Sequence, residues 1–158
     1  DISGGDPDLL KHAQAHNAGF ILMHSQGNPK SMQEQPSYMN PVSEIRNFFD
    51  QKKDQIQKLG LPRVWIDPGI GFGKTLAHNL ELMRNLADFQ DQDWGILLGS
   101  SRKSWIDHLC DAPIPSQRLG GSIASALDAV AKGVEIIRVH DVKETVQAIE
   151  VAKELATN

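Results

Sequence analysis

The chain has 158 residues, a formal net charge of −4 and one cysteine. Its Lys and Arg residues are dispersed, which argues against a nucleic-acid footprint, and no apolar run reaches the roughly 18 residues of a membrane-spanning helix. Cys110 alone cannot form an internal disulfide, which suits a reducing cytosol, and no signal peptide is visible.

Taken in chain order, the opening Asp1-Ile2-Ser3-Gly4-Gly5 reads as the exit loop of a preceding strand, and a short helix is predicted from Asp6 to His16. The apolar run Gly19-Phe20-Ile21-Leu22-Met23-His24 reads as the first strand. The non-periodic stretch from Gly27 to Pro41 follows; loops of that length in compact domains are usually functional. A helix is predicted from Ser43 to Leu59, with Gly60 as its stop. Val64-Trp65-Ile66 reads as a second strand carrying Asp67 at its C-terminal end. Pro68 ends the ladder there, and Gly69, Gly71 and Gly73 allow a backbone to turn sharply beside a ligand. A helix is predicted from Leu76 to Phe89, a third strand at Trp94 to Gly99, and a short helix at Ser104 to Leu109. An Ala-rich helix from Arg118 to Lys132, a strand from Val134 to Asp141 and a helix from Val142 to Leu155 complete the chain.

The strand runs are nearly continuous rather than alternating, as in parallel sheets buried on both faces. Strand and helix alternate four times, which suits either an open doubly wound sheet or a (β/α) barrel. A complete (β/α)8 barrel needs about 250 residues. The expectation is therefore an α/β chain holding about the last four βα units of such a barrel, with the N-terminal half absent.

Each strand ends in groups capable of chemistry. Asp67 sits at a strand mouth before a glycine loop, as in α/β sites for small polar ligands. Arg138 and His140 alternate on the last predicted strand and so share a face. Together with Arg102 and Lys103 they fall in the loops that build the phosphate site of many barrels, and a guanidinium suits phosphate geometry. Asp141 is placed to cap the final helix. His24 lacks nearby ligand partners for zinc, and Gly71-Phe72-Gly73-Lys74 lacks the spacing of a phosphate-cradling Walker loop.

Five motifs, in order and spacing, resemble dihydropteroate synthase: Asp1-Ile2-Ser3-Gly4-Gly5; Met23-His24-Ser25-Gln26-Gly27-Asn28-Pro29 with Met32-Gln33; Asp67 to Lys74; Gly99-Ser100-Ser101-Arg102-Lys103-Ser104; and Arg138-Val139-His140-Asp141-Val142. The resemblance spans essentially the whole of residues 1–158 and implies the C-terminal part of one pterin-binding (β/α)8 barrel domain. It implies a cytoplasmic transferase that condenses 6-hydroxymethyl-7,8-dihydropterin diphosphate with 4-aminobenzoate in folate biosynthesis and is the target of sulfonamides.

By resemblance, Asp67, Lys103 and Arg138 are the catalytic residues. Asp67, Met23, Gly99, Lys103 and Arg138 hold the pterin, while Phe72, Ser101 and Lys103 hold 4-aminobenzoate. Arg138 and His140 hold the diphosphate. The cofactor implied is Mg2+, its main ligand expected in the N-terminal half, and the assembly implied is a homodimer through helices of the C-terminal half. The family Asn that precedes the Asp-Ile pair and the residues of the first and third strands have no counterpart here, so the isolated chain is expected to be weakly active or inactive. Two alternatives stand beside this reading. One is a pterin-binding methyltransferase domain acting on methyltetrahydrofolate, and the other is a non-catalytic half-barrel binding module.

Overall fold

The computed structural model describes residues 1–27 and 31–156; the Asn28-Pro29 part of the second motif lies outside them. The elements run α1 (Pro7–Ala15), β1 (Phe20–Met23), α2 (Pro41–Gln57), β2 (Val64–Asp67), α3 (Leu76–Arg84), β3 (Gly95–Leu98), α4 (Ser104–Cys110), α5 (Leu119–Ala131), β4 (Ile136–Ile137) and α6 (Val142–Ala156), with 3₁₀ turns at Leu86–Phe89 and Pro115–Arg118. All strand pairs are parallel, in the order β1-β2-β3-β4. With parallel strands in sequential order, the right-handed crossover rule puts the connecting helices on one face. That is the arrangement of a partial barrel; a doubly wound sheet reverses its strand order and covers both faces.

The helices start where side chains satisfy their free N–H groups. The Asp6 carboxylate accepts from Asp8 N and Leu9 N, both at 3.0 Å, ahead of Pro7 in α1. Asn40 Oδ1 accepts from Ser43 N at 2.8 Å, so α2 begins at Pro41, two residues before the predicted start. Thr75 and His78 close a reciprocal capping box on α3.

Two predicted elements differ. The helix expected from Leu76 to Phe89 breaks at Asn85, whose side-chain amide donates to Glu81 O at 2.8 Å and competes with the ladder. The strand expected from Val134 to Asp141 contracts to Ile136–Ile137. As an edge strand it pairs only with β3 in this sheet, although Glu135 N still donates to Ile96 O and Arg138 N to Leu98 O.

Alternate strand residues divide the sheet's two faces. Phe20, Leu22, Val64, Ile66, Ile96 and Leu98 join Ile45, Phe49, Leu82 and Ile106 in one core beneath the helices. Fully burying each such side chain contributes about 1.5–3 kcal/mol. Met23 and Leu97 are equally buried but lie outside that cluster, on the opposite, inner face. The functional groups gather at the C-terminal mouth of that inner face.

Candidate active site

In the β1–β2 ladder Met23 pairs with Asp67, so both sit at the sheet's C-terminal edge. Asp67 is only 3% exposed, and its Oδ1 accepts from Gly69 N at 2.8 Å. Burial pushes its pKa up, against the opposing pull of the Gly69 N–H and of Lys103, Arg138 and Lys74 nearby. The chain can turn this tightly only through glycine: Gly69 has φ +71°, and a Cβ there would collide with the His24 carbonyl.

The loop after Asp67 is held carbonyl by carbonyl. Ile70 O accepts from Lys103 Nζ, and Gly71 O accepts from Gln33 Nε2. Phe72 O accepts from Lys74 Nζ at 2.9 Å, and Gly73 O from the Tyr38 hydroxyl at 3.1 Å. Gly71 N–H donates to Asn79 Oδ1 at 2.8 Å. Side chains from both sides of the loop thus converge on these few residues, beside the Phe72 ring. Lys103 Nζ lies 4.4 Å from that ring's centroid. Burial and the nearby Arg138 lower the Lys103 pKa to about 8, with Asp67 opposing.

After β3 the chain turns a corner at Arg102, which takes the left-handed conformation with φ 57°. The corner is fastened from behind. Arg102 N donates to Ser122 Oγ at 2.9 Å, and Arg118 Nη1 donates to Arg102 O at 2.8 Å. The buried Arg118 also donates to Ala112 O and Pro113 O, each at 2.7 Å, and Ser100 Oγ meets Ser125 Oγ at 2.8 Å. Arg102 directs its guanidinium to the Asp141 carboxylate, away from the cleft that Lys103, Arg138 and His140 line. Asp141, at the start of α6, is correspondingly occupied by Arg102.

Arg138 and His140 lie beyond β4 rather than on it, yet face one cleft with Gly99, Ser101, Lys103 and Val139. Ser101 Oγ bonds His140 Nδ1 at 3.1 Å and accepts from His140 N at 3.3 Å. Gly99 has no side chain because Arg138 occupies that space: a Cβ would lie 2.8 Å from Nη2.

Met23, Asp67, Phe72, Gly99, Ser101, Lys103, Arg138 and His140, singled out from the sequence, therefore converge on the C-terminal mouth of the sheet. Sequence reasoning missed Lys74, which is 3% exposed, and the Arg118–Ser122–Ser125 backing. A lysine in a glycine loop reads as solvated, and nothing local signals that Tyr38 and His24 will close over it. Among the described residues no group of three or more His, Cys, Asp or Glu side chains could hold a metal ion. The cleft itself is lined by cations.

An acid buried among cations at the mouth of a parallel sheet fits a site for a small ligand with a hydrogen-bonding edge and an anionic tail. The chain belongs to the pterin binding enzyme family, whose profile matches residues 1–140. It is 43% identical over 150 residues to dihydropteroate synthase of Escherichia coli K12, covering 94% of this chain and 53% of that protein. The chain thus spans about half the length of the curated relatives it matches. Among solved structures it resembles the Thermus thermophilus dihydropteroate synthase in complex with 6HMPPP, at TM-score 0.94 and 36% identity, covering 99% of this chain and 63% of that one. The same enzyme in complex with 4-aminobenzoate matches at TM-score 0.91, 36% identity, 96% and 62% coverage. The Yersinia pestis synthase with a sulfonamide drug complex matches at TM-score 0.91 and 39% identity, covering 98% of this chain and 57% of that one.

Proposed function

We propose that residues 1–158 form the C-terminal part of a single dihydropteroate synthase barrel, which joins 6-hydroxymethyl-7,8-dihydropterin diphosphate to 4-aminobenzoate. The observation that carries this reading is the cleft of Gly99, Ser101, Lys103, Arg138 and His140 beside the buried Asp67. Relatives with the same fold are dihydropteroate synthases.

The ionised Asp67 carboxylate accepts two hydrogen bonds from the pterin's exocyclic amine and ring N–H, a charge-assisted bidentate pair. Met23 and Gly99 line the ring, Lys103 reaches its acceptor atoms, and Arg138 stacks on its face. Arg138 and His140 hold the diphosphate. Phe72, Ser101 and Lys103 hold 4-aminobenzoate. The arylamine nitrogen forms a bond to the CH2 carbon, the C–O bond to diphosphate breaks with its electron pair, and the amine loses a proton. The side chains act by alignment and electrostatics; no covalent nucleophile is required. Asp67 offsets positive charge that develops on the pterin.

The resemblance also implies Mg2+, for which the described residues offer no ligand cluster; no step here runs through it. A cytoplasmic location belongs to the same reading. No helix among the described residues is long and apolar enough to cross a membrane. Sulfonamides would occupy the 4-aminobenzoate side. A homodimer through helices of the C-terminal half belongs to the same reading; sedimentation of the chain fused behind the N-terminal half of a relative should give twice the mass of one fused chain, and a monomer at high concentration would count against it.

Asp67→Asn tests the central residue. It keeps the shape but loses the charge and one acceptor, so pterin diphosphate binding should fall by about 2–3 kcal/mol, the value of a hydrogen bond to a charged group. Unchanged affinity would refute the assignment.

A further inference from the structure

We propose that Lys74 is a positioning residue: bonded at once to the Phe72 carbonyl and to His24 Nδ1, it fixes the glycine loop and so sets the Phe72 ring against Lys103. This rests on the reading of Phe72 as a wall of the arylamine pocket.

Lys74 Nζ lies 2.9 Å from Phe72 O and 3.2 Å from His24 Nδ1. It also sits 5.9 Å from the centroid of the Tyr38 ring. With the ammonium donating, His24 is the Nε2–H tautomer. His24 is itself anchored from three directions. Its N–H donates to Asp67 O at 3.0 Å, its carbonyl packs on Gly69, and its ring stands edge-on to Phe48 of α2 at 5.0 Å. The Lys74–His24 contact therefore ties the far side of the glycine loop to the strand exit that also supports Asp67.

The charged and titratable groups facing Lys74 are Asp67, which attracts it, and Lys103, which repels it. His24 and Tyr38 complete the surround; Tyr38 in turn packs on His78 and feels Glu44. Burial is the dominant influence on Lys74 and lowers its pKa to about 7. An ammonium kept in such a place is costly to the fold. Methionine would fill the same space without that cost, so packing alone does not account for a lysine here. What methionine cannot supply is the donor that grips Phe72 O and His24.

The test compares the chain with Lys74→Met, His24→Gln and the double variant. Amide hydrogen exchange is read at Gly71 and Phe72, whose N–H groups bond Asn79 Oδ1 at 2.8 Å and Gly69 O at 3.0 Å. Each single variant should speed exchange there by about tenfold, the equivalent of one good hydrogen bond. The double variant should add little to Lys74→Met, because His24 acts on the loop through Lys74. Lys74→Met should unfold at a temperature no lower than the parent chain. Its 4-aminobenzoate affinity should fall about tenfold while pterin affinity stays within about threefold. Unchanged exchange in Lys74→Met, or additive effects in the double variant, would overturn the proposal. The affinities are read on the chain fused behind the N-terminal half of the Escherichia coli relative; if that fusion binds the pterin but no arylamine, the reading of Phe72 fails, and the exchange rates still decide the role of Lys74.

Discussion

The Lys103 ammonium lies over the Phe72 ring and donates to the Ile70 carbonyl, so the loops leaving β2 and β3 are locked through one side chain. That lysine is also among the cations that bear on Asp67. In the proposed reaction one residue thereby links the pterin side and the arylamine side of the site.

This arrangement has a pH consequence. Burial lowers the Lys103 pKa to about 8, so the ammonium is present below that value and is lost as pH rises through it. Affinity for a pterin diphosphate should decline above about pH 8 and level off once Lys103 is neutral. In Lys103→Met the decline should vanish and the affinity should sit at the low plateau at every pH. Calorimetric titrations spanning the two sides of that pKa would measure this.

Gly99 makes a sharper prediction. The nearest atoms to a Cβ at this position belong to the far end of Arg138, 2.8 Å away at Nη2 and 3.1 Å at Nε. A flexible side chain can yield, so Gly99→Ala should change stability by less than about 1 kcal/mol. The displaced guanidinium should nevertheless weaken diphosphate-bearing ligands by about 1–2 kcal/mol, the scale of a charge-assisted hydrogen bond. Binding of the pterin without its diphosphate should change less. Parallel melting curves and titrations separate the two effects.

His24 predicts an acid limit to stability. Its pKa is lowered to about 3 by burial first and by Lys74 second. The unfolded chain takes up a proton near the ordinary value of 6.5, before the folded chain does. The stability is thus fully present above that ordinary value and is lost as pH falls toward the folded one, by on the order of 5 kcal/mol. Urea unfolding across that acid range should show the slope, and His24→Gln should flatten it.

Arg118 carries the corner at Arg102. It donates to three carbonyls and pairs with Asp107 at 3.4 Å. Arg118→Met should cost roughly 2 kcal/mol, since it strips three part-buried carbonyls and the Asp107 carboxylate of their donor. Its effect on the site should appear as faster exchange of the Arg102 amide, which normally bonds Ser122.

How far the sequence foretells this site follows from what each residue depends on. Asp67, Lys103 and Arg138 were legible because a parallel strand must end in a loop, and polar groups clustered at several such ends point to one mouth. Gly69 was legible as a close approach and Gly99 only through the resemblance, and neither reading named its neighbour: the His24 carbonyl in one case and the Arg138 guanidinium in the other. Arg102 and Lys103 are neighbours of identical sign, and only the left-handed turn at Arg102 sends one to Asp141 and the other to the cleft. Lys74 was illegible because its burial depends on Tyr38, which is distant in the chain. The helix break at Asn85 and the shortening of β4 likewise depend on a side-chain competitor and an edge position, which hydrophobic periodicity does not register.

The most direct test of the proposed function is 4-aminobenzoate-dependent diphosphate release from 6-hydroxymethyl-7,8-dihydropterin diphosphate. It should be measured on this chain alone and on this chain fused behind the N-terminal half of the Escherichia coli relative. The proposal predicts release by the fused protein, its loss in the fused Asp67→Asn variant, and little or none from the isolated chain. A folded fusion that releases no diphosphate would contradict it.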